Sequence, residues 1–306
     1  MFAIEAKDIT KSYRKTTALR GVSFEVEHGE IFGIIGADGA GKSTLFRILT
    51  TLLLPDSGTA SVEGLNIVEK YKEIRKIVGY MPGKFSLYQD LSVEENINFF
   101  ATLFNTSLQE NYDIVKDIYS QLEPFKNRKA AALSGGMKQK LALCCALIHR
   151  PKILFLDEPT TGVDPVSRKE FWGILKNLKQ DGIAIMVSTS YMDEASLCDR
   201  VALINNGAFL SVDTTKNLIK DFRKPLYAAS SENMFRLLKD IREIPEVESC
   251  FTFGDLHHII FKNQDINIEE IMYHLLGKGH TNLEIKKIKA SIEDCYMLLE
   301  GKNNEE

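Results

Sequence analysis

The sequence predicts an α/β protein built on a parallel or mixed sheet, followed by a second, smaller α+β domain. Up to residue 222, short apolar runs bounded by turn residues alternate with helical patterns, which is typical of strands buried between helices. These runs lie at residues 31–35, 77–81, 153–156, 183–187 and 201–204. After Pro225 the pattern predicts a strand, a helix, two strands, a helix, a strand and a last helix, which is the ferredoxin-like order. We place these elements at 226–230, 231–242, 247–253, 256–262, 266–277, 283–289 and 291–300.

Length and charge agree with a boundary near Pro225. The chain has 306 residues, enough for one large and one small domain. Its net charge is −4, from 38 basic and 42 acidic side chains, and residues 226–306 hold 9 of the basic and 15 of the acidic ones. We therefore predict domains at 1–222 and 226–306. The negative balance argues against a general nucleic-acid binder.

Hydropathy predicts no membrane span. The longest unbroken apolar run is 141–148, eight residues, and a helix that crosses a bilayer needs about 20. Residues 1–10 do not resemble a signal peptide, because charged side chains interrupt them. We expect a cytoplasmic protein that can still dock on a membrane protein. The five cysteines form no CxxC pair, which favours reduced, structural thiols.

Two helix starts are well marked. Ser92 and Glu95 have the spacing of a capping box, and Asp164-Pro165 reads as an N-cap followed by proline at the first helical position. The helix that begins at Asp164 is predicted to end at Asp181-Gly182, since glycine commonly follows a helix.

The strongest motif is a glycine-rich loop between a predicted strand, 31–35, and a predicted apolar helix, 45–54. It matches G-x-x-x-x-G-K-[ST] and comprises Gly36, Ala37, Asp38, Gly39, Ala40, Gly41, Lys42, Ser43 and Thr44. Glycines allow successive backbone N–H groups to turn toward a phosphate, and the helix N-terminus adds its positive dipole. Lys42 is predicted to reach the outer phosphates and Ser43 to bind Mg²⁺. The pattern predicts a nucleotide site.

A second element is the apolar strand 153–156, which ends in Asp157 and Glu158. We predict that Asp157 binds Mg²⁺ and that Glu158 is the general base that activates water. Alone, two acids at a strand end also fit a solvated terminus. Their position downstream of the glycine-rich loop favours the functional interpretation.

A third element selects a family. Ser134 is a good N-cap for a predicted helix, 137–148, and two glycines follow it, so that a phosphate could approach the helix end. The heptapeptide Leu133-Ser-Gly-Gly-Met-Lys-Gln139 resembles the LSGGQ signature of ABC-type ATPases, with Met137 at the place of the family's glutamine. Its signature residues are Ser134, Gly135, Gly136 and Gln139.

With these elements in order, residues 3 to about 222 resemble an ABC transporter ATP-binding subunit. The resemblance implies a P-loop ATPase domain with a mixed sheet, a helical signature subdomain at about 84–150, and ATP and Mg²⁺ as ligands. It implies that Tyr13 stacks on adenine and that Asp164, in a D-loop at 161–164, contacts a second ABC ATPase subunit. The last domain, by its order of elements and its short motif at 290–294, resembles the accessory domain of drug-export ATPases of the daunorubicin-resistance type.

The resemblance also implies partners and a location. They are the permease subunits of a membrane exporter, at the inner face of the membrane, and no nucleic acid. In the resembled family the segment corresponding to 83–96 receives the permease, and we expect Phe85, Leu87 and Tyr88 to supply apolar contacts there.

Two positions depart from the family pattern. Gly83 stands where the family has a glutamine that binds Mg²⁺, and Ser190 stands where it has a histidine that contacts the γ-phosphate. Loss of one preorganised donor to a transition state slows chemistry roughly 10²–10³-fold. We therefore expect slow hydrolysis at this chain's own site, as the weaker half of an asymmetric ATPase pair. The alternatives are a soluble ABC ATPase without a transport role and a nucleotide-binding regulatory subunit with negligible turnover.

Overall fold

The computed structural model describes residues 2–303 and divides into two compact units, with the division between Thr215 and Lys216. The sequence pattern places the boundary later, at 222–226. The difference comes from helix Thr215–Asp221, which continues into the second unit, where the Cys295 thiol donates to the Leu218 carbonyl.

The described residues of the first unit form ten strands in two sheets. The strands are β1 (Ile4–Tyr13), β2 (Thr16–Val26), β3 (Ile31–Ile35), β4 (Ser57–Val62), β5 (Leu65–Asn66), β6 (Val78–Met81), β7 (Ile153–Asp157), β8 (Ala184–Thr189), β9 (Arg200–Asn205) and β10 (Ala208–Asp213). The six-stranded sheet has the order β10-β9-β3-β8-β7-β6 and is parallel except for the β9–β10 pair. The other sheet, β2-β1-β4-β5, is antiparallel. The predicted mixed α/β architecture is confirmed.

Six helices of the described first unit join these strands. They are α1 (Lys42–Leu49), α2 (Tyr71–Ile77), α3 (Val93–Leu103), α4 (Tyr112–Leu122), α5 (Gly135–Leu147) and α6 (Pro165–Gln180). Helices α3 and α4 both pack against α5, and all three lie within the segment predicted as a helical subdomain. The predicted capping box of α3 is present, because Ser92 and Glu95 exchange side-chain to backbone hydrogen bonds. Asp164 caps α6, and Asp181 follows its last residue.

The bounds of two predicted helices in the first unit were wrong. Helix α1 begins at Lys42 and ends at Leu49, whereas 45–54 was predicted. It ends early because Thr51 is left-handed, with φ 63°, and the Arg75 guanidinium donates to its carbonyl. Helix α5 begins at Gly135 and not at residue 137, because the Ser134 hydroxyl accepts from the Met137 N–H and so ends the extended segment at Ser134.

One apolar core connects α1 with both sheets of the first unit. Phe24 stacks on Phe32 with ring centroids 5.5 Å apart, and Phe46 of α1 meets Phe155 of β7 edge to face at 5.9 Å. Strand β3 is buried along its whole length. This packing holds the carboxyl ends of β3, β7 and β8 beside one another, because those strands are parallel neighbours in the order β3-β8-β7.

The second unit has its own sheet and core. Its elements are α7 (Thr215–Asp221), β11 (Leu226–Ser230), α8 (Met234–Arg242), β12 (Val247–Phe253), β13 (Leu256–Phe261), α9 (Ile268–Gly277), β14 (Glu284–Lys287) and α10 (Ile292–Asn303). The sheet order β12-β13-β11-β14 is antiparallel throughout. This confirms the predicted sequence of strands and helices, each within a few residues.

Among residues 2–303, no helix is both long and apolar enough to span a bilayer. All five cysteines are buried and unpaired with one another. Burial raises the pKa of the Cys144 thiol to about 12, and that of Cys250 to the same value, so these thiols stay protonated at neutral pH.

Candidate functional site

The glycine-rich loop at 36–44 closes around the ammonium group of Lys42. This side chain is 5% exposed, and its Nζ donates to the carbonyls of Gly36 at 2.6 Å and Ala37 at 3.0 Å. Gly41 precedes α1 with φ 108°, a conformation that favours glycine. A Cβ at Gly36 would lie 2.2 Å from the Ile204 carbonyl oxygen, so no larger residue fits there. The loop thus places a positive charge and a helix N-terminus at one point, an arrangement suited to an anion.

A cleft beside this loop brings together side chains that are distant in sequence. Tyr13, at the end of β1 and 43% exposed, shares the cleft with the loop and with Glu158. The cleft is lined by Tyr13, Ala18, Asp38, Gly39, Gly41, Lys42, Ser43, Thr44 and Glu158. Ala40 is buried behind it. The cleft thus combines an aromatic side chain with the glycine-rich loop and an acidic side chain.

Glu158 lies at the end of β7 and faces the loop. Its Oε1 lies 3.0 Å from Lys42 Nζ, an ion pair whose hydrogen-bond alignment is poor. Glu158 is left-handed, with φ 51°. For a residue other than glycine this conformation costs about 1–3 kcal/mol, and it persists only where neighbours hold it.

Those neighbours come from β8, the strand beside β7. The Glu158 N–H donates to the Ser188 carbonyl at 3.1 Å and lies 3.0 Å from the Ser188 hydroxyl. The same hydroxyl donates to Asp157 Oδ1 at 2.6 Å. Asp157 is 3% exposed and Ser188 is fully buried. Burial and the Asp157 charge raise the pKa of nearby Tyr80 to about 12, so the phenol is neutral.

Further hydroxyl and amide groups contact the Glu158 carboxylate. Thr161 Oγ1 donates to Oε2 at 3.0 Å, and the Ser190 N–H donates to the same oxygen at 3.3 Å. The Ser190 hydroxyl is more distant, at 3.5 Å. Ser190 therefore lies beside Glu158.

Gly83 also lies at the Asp157–Glu158 pair. A Cβ built on Gly83 would be 3.2 Å from the Asp157 carbonyl oxygen and 3.6 Å from Glu158 Cβ. A side chain at this position would thus reach the acidic pair after a shift of a few tenths of an ångström. Gly83 places no side chain beside this pair.

The signature residues and the D-loop are close to each other. Ser134 is exposed at the N-cap of α5, and a Cβ on Gly135 would lie 3.2 Å from the Gly162 carbonyl oxygen. Hydrogen bonding from the Ser167 N–H lowers the pKa of the exposed Asp164 carboxyl. Gln139 is half-buried along α5. In the described chain, these residues are not among those that line the glycine-rich cleft, so they form a separate surface.

The segment that follows Ser190 is anchored to α6. Buried Glu194 accepts a hydrogen bond from Thr160 Oγ1 at 2.6 Å, and the Arg168 guanidinium lies 4.1 Å from the Tyr191 ring centroid. Thr160 follows Glu158 by two residues, and Arg168 of α6 contacts both Glu194 and Tyr191. The network therefore connects the segments after Glu158 and after Ser190 to α6.

The donor set beside the cleft fits a divalent cation of the magnesium type. Ser43 offers a hydroxyl in the cleft, and Asp157 offers a carboxylate whose Oδ1 already accepts from Ser188. Such hard oxygen ligands are those that Mg²⁺ prefers when phosphate supplies the rest.

Sequence reasoning missed Ser188. A signal was present in Ser188-Thr189-Ser190, three hydroxyl residues that directly follow the predicted strand 183–187. Only the pairing of β8 with β7 shows that Ser188 lies opposite Asp157.

Comparison with known proteins agrees with this geometry. A family model described as "ABC transporter" matches residues 19–161. The Nod factor export ATP-binding protein I of Rhizobium sp. (strain N33) is 30% identical over 99% of this chain and 98% of its own length. The probable multidrug ABC transporter ATP-binding protein YbhF of Escherichia coli (strain K12) is 42% identical over 70% of this chain, which covers only 38% of that protein.

A solved structure gives the same result for the fold. A dimeric ATP-binding cassette in a post-hydrolysis state, bound to ADP and Pi, is 26% identical with a TM-score of 0.63, over 69% of this chain and 98% of that one. A relative of this identity that aligns along nearly the whole chain defines the family. The chain therefore belongs to the ABC transporter ATP-binding proteins.

Proposed function

We propose that the cleft binds ATP with its phosphates on the 36–44 loop and its adenine on Tyr13. The observation that carries this proposal is the single cleft that contains Tyr13, Lys42, Ser43 and Glu158. The buried Lys42 ammonium supplies the charge that the phosphates need, and the exposed Tyr13 ring supplies an apolar face.

Ser43 and Asp157 would hold Mg²⁺ in this site, and the ion would neutralise charge on the phosphates when bound. Glu158 is the general base: its carboxylate takes a proton from water as the water attacks the γ-phosphate. Glu158 and Lys42 are adjacent before nucleotide arrives, since they form an ion pair at 3.0 Å. The base therefore lies beside the group that would hold the phosphate it acts on.

Replacement of Tyr13 tests the adenine contact. Tyr13→Ala should weaken ATP binding about two- to tenfold, because the stacking surface is lost, a contact of about 0.5–1.5 kcal/mol. Tyr13→Phe keeps the ring and should bind normally. The measurement is calorimetry with ATP. Equal affinities for the Ala and Phe variants would show that adenine binds elsewhere.

We further propose that the chain energises export through a membrane permease, on the inner face of the membrane. The relatives support this role, because they are named for multidrug transport and Nod factor export. A groove between β6, α3 and α5 is a suitable docking surface for the permease. It is lined mainly by apolar side chains, among them Met81, Leu87, Phe100 and Leu103.

Tyr88 directly follows Leu87, a residue of the groove lining, along the chain. Tyr88 is 51% exposed and packs on Phe99 at 4.8 Å between ring centroids. Buried Asn96 holds the backbone of Tyr88 through hydrogen bonds to its N–H and carbonyl, both at 3.0 Å. Leu87 is 8% exposed and forms part of the groove wall, where it would supply apolar contact to the permease.

Tyr88→Asp is expected to detach the chain from membranes that contain its permease. A carboxylate there would be desolvated in an apolar contact, which costs far more than the contact yields. Sedimentation with membranes measures attachment, and ATP affinity should stay within twofold. Tyr112→Asp, at a tyrosine of similar exposure (43%) on α4, is the matched control and should remain attached. Normal attachment of Tyr88→Asp would exclude this docking surface.

The missing side chain at Gly83 and the serine at 190 favour a slow site. We propose that this chain is the weaker member of an asymmetric ATPase pair. Its Ser134-Gly135-Gly136 completes the partner's site, while its own site holds ATP and turns it over slowly. The same two residues also favour a second candidate, a regulatory subunit that binds nucleotide with negligible turnover.

Restoring the two missing side chains tests whether Gly83 and Ser190 limit the rate of ATP hydrolysis, as both candidates require. Gly83→Gln combined with Ser190→His should raise the hydrolysis rate of the full-length chain about tenfold or more, since one preorganised donor accounts for roughly 10²–10³-fold. Gly83→Ala with Ser190→His is the control, because alanine adds the same Cβ as glutamine but no side-chain amide. Unchanged turnover in the restored variant would mean that Gly83 and Ser190 do not limit the rate.

A further inference from the structure

We propose that Ser188 and Thr161 are positioning residues for ATP hydrolysis: Ser188 orients Asp157 and the main chain of Glu158, and Thr161 orients the Glu158 carboxylate. The proposal rests on the assignment of Glu158 as the general base. It explains how this chain holds its base with Ser190 at the switch position.

Ser188 makes two hydrogen bonds that a single hydroxyl can satisfy at once. Its proton goes to Asp157 Oδ1 at 2.6 Å, and its oxygen accepts from the Glu158 N–H at 3.0 Å. The first bond is short because the acceptor is charged. This bond fixes the rotation of the Asp157 carboxylate and thereby the orientation of its other oxygen, Oδ2.

The second bond acts on the backbone. Glu158 has φ 51°, in the left-handed region, and its N–H is held by the hydroxyl and the carbonyl of Ser188 together. This conformation turns the Glu158 side chain out of the strand direction and toward Lys42. Ser188 is fully buried, so water cannot replace its hydroxyl at little cost.

Thr161 acts on the carboxylate itself. Its hydroxyl donates to Oε2 at 3.0 Å, whereas Lys42 faces Oε1 at 3.0 Å. The carboxylate is therefore held on both oxygens, which restricts the direction from which it can accept a proton. The Ser190 N–H adds a longer contact to Oε2, at 3.3 Å.

A substitution at Thr161 can test positioning without a loss of stability, because Thr161 is exposed. Removal of its hydroxyl creates no buried cavity, and Glu158 Oε2 keeps the Ser190 N–H as a donor. Its effect should appear in turnover and not in folding. Ser188, in contrast, is buried and affects both.

The first test compares Thr161→Val with Thr161→Ser in the full-length chain. Valine keeps the shape without the hydroxyl, and kcat should fall about tenfold, the size expected for one hydrogen bond to a charged group. KM for ATP should change less than twofold, and Thr161→Ser should restore kcat. Thr102→Val, which removes an exposed hydroxyl bonded only within α3, should behave as wild type.

The second test uses the Glu158→Gln background. If Thr161 acts only through Glu158, Thr161→Val will not lower the residual rate of Glu158→Gln any further. For Ser188→Ala we expect a fall in kcat, and also a smaller gain in ATP affinity on adding Mg²⁺, measured by calorimetry. That binding readout does not depend on turnover.

The outcomes separate this proposal from the one on which it rests. Normal turnover of Glu158→Gln would overturn the assignment of the base itself. An inactive Glu158→Gln, together with wild-type kcat in Thr161→Val and in a folded Ser188→Ala, would leave the base in place and overturn the positioning roles. If Ser188→Ala does not fold, Thr161→Val against Thr161→Ser decides, and equal kcat values for that pair would overturn the proposal.

Discussion

Lys42→Ala should abolish ATP binding at concentrations where the unaltered chain is saturated. The Lys42 ammonium is buried among the Gly36 and Ala37 carbonyls and the Glu158 carboxylate, so its removal leaves those acceptors facing the place of the phosphates. Each charge-assisted hydrogen bond contributes about 1.5–3 kcal/mol. The loss of two such bonds to phosphate would weaken binding roughly 10²–10⁴-fold.

Calorimetry with ATP measures this loss, and circular dichroism shows whether the variant is folded. Lys116→Ala on α4 is the matched control, since that lysine is exposed and lies on an element that does not line the cleft. We expect the control to bind ATP normally. Retention of ATP binding by a folded Lys42→Ala variant would contradict the assignment of the 36–44 loop to the phosphates.

In the assembled complex, Ser134→Arg is expected to reduce ATP hydrolysis far more than Glu158→Gln. Ser134 is exposed at the start of α5, beside the D-loop and apart from this chain's own cleft. An arginine there would block the nucleotide site of the partner ATPase, which performs most of the turnover in an asymmetric pair. Glu158→Gln removes the base of the slow site only, so most hydrolysis should remain.

A symmetric pair predicts a different result. Two copies of this chain would have two equal sites, and each substitution would then remove hydrolysis almost completely, since loss of a general base costs about 10²–10⁴-fold. The measurement is steady-state hydrolysis by the complex with each variant, normalised to the amount assembled. Equal damage by the two variants would exclude the asymmetric model.

The sequence alone determined those parts of the protein that depend on local chemistry. The glycine-rich loop could be predicted because glycine conformations, a lysine and a helix N-terminus lie within residues 36–44. The capping box of α3 and the N-cap of α6 are equally local, since each depends on a side chain and a backbone N–H three residues apart. The alternation of apolar runs with helical patterns predicted the six-stranded sheet for the same reason, whereas none of those runs lies in the antiparallel sheet β2-β1-β4-β5.

Tertiary structure decided what depends on neighbours that are distant along the chain. Helix α1 ends at Leu49 because Arg75, from α2, donates to the left-handed Thr51. Leu87 is buried because a groove wall forms around it, although its sequence context resembles that of exposed Tyr88. Ser188 lies on Asp157 only because β8 pairs with β7, 31 residues earlier in the chain. Periodicity reports which face of an element is apolar, but it carries no information on which elements become neighbours, and buried hydrogen bonds are formed only once those neighbours are in place.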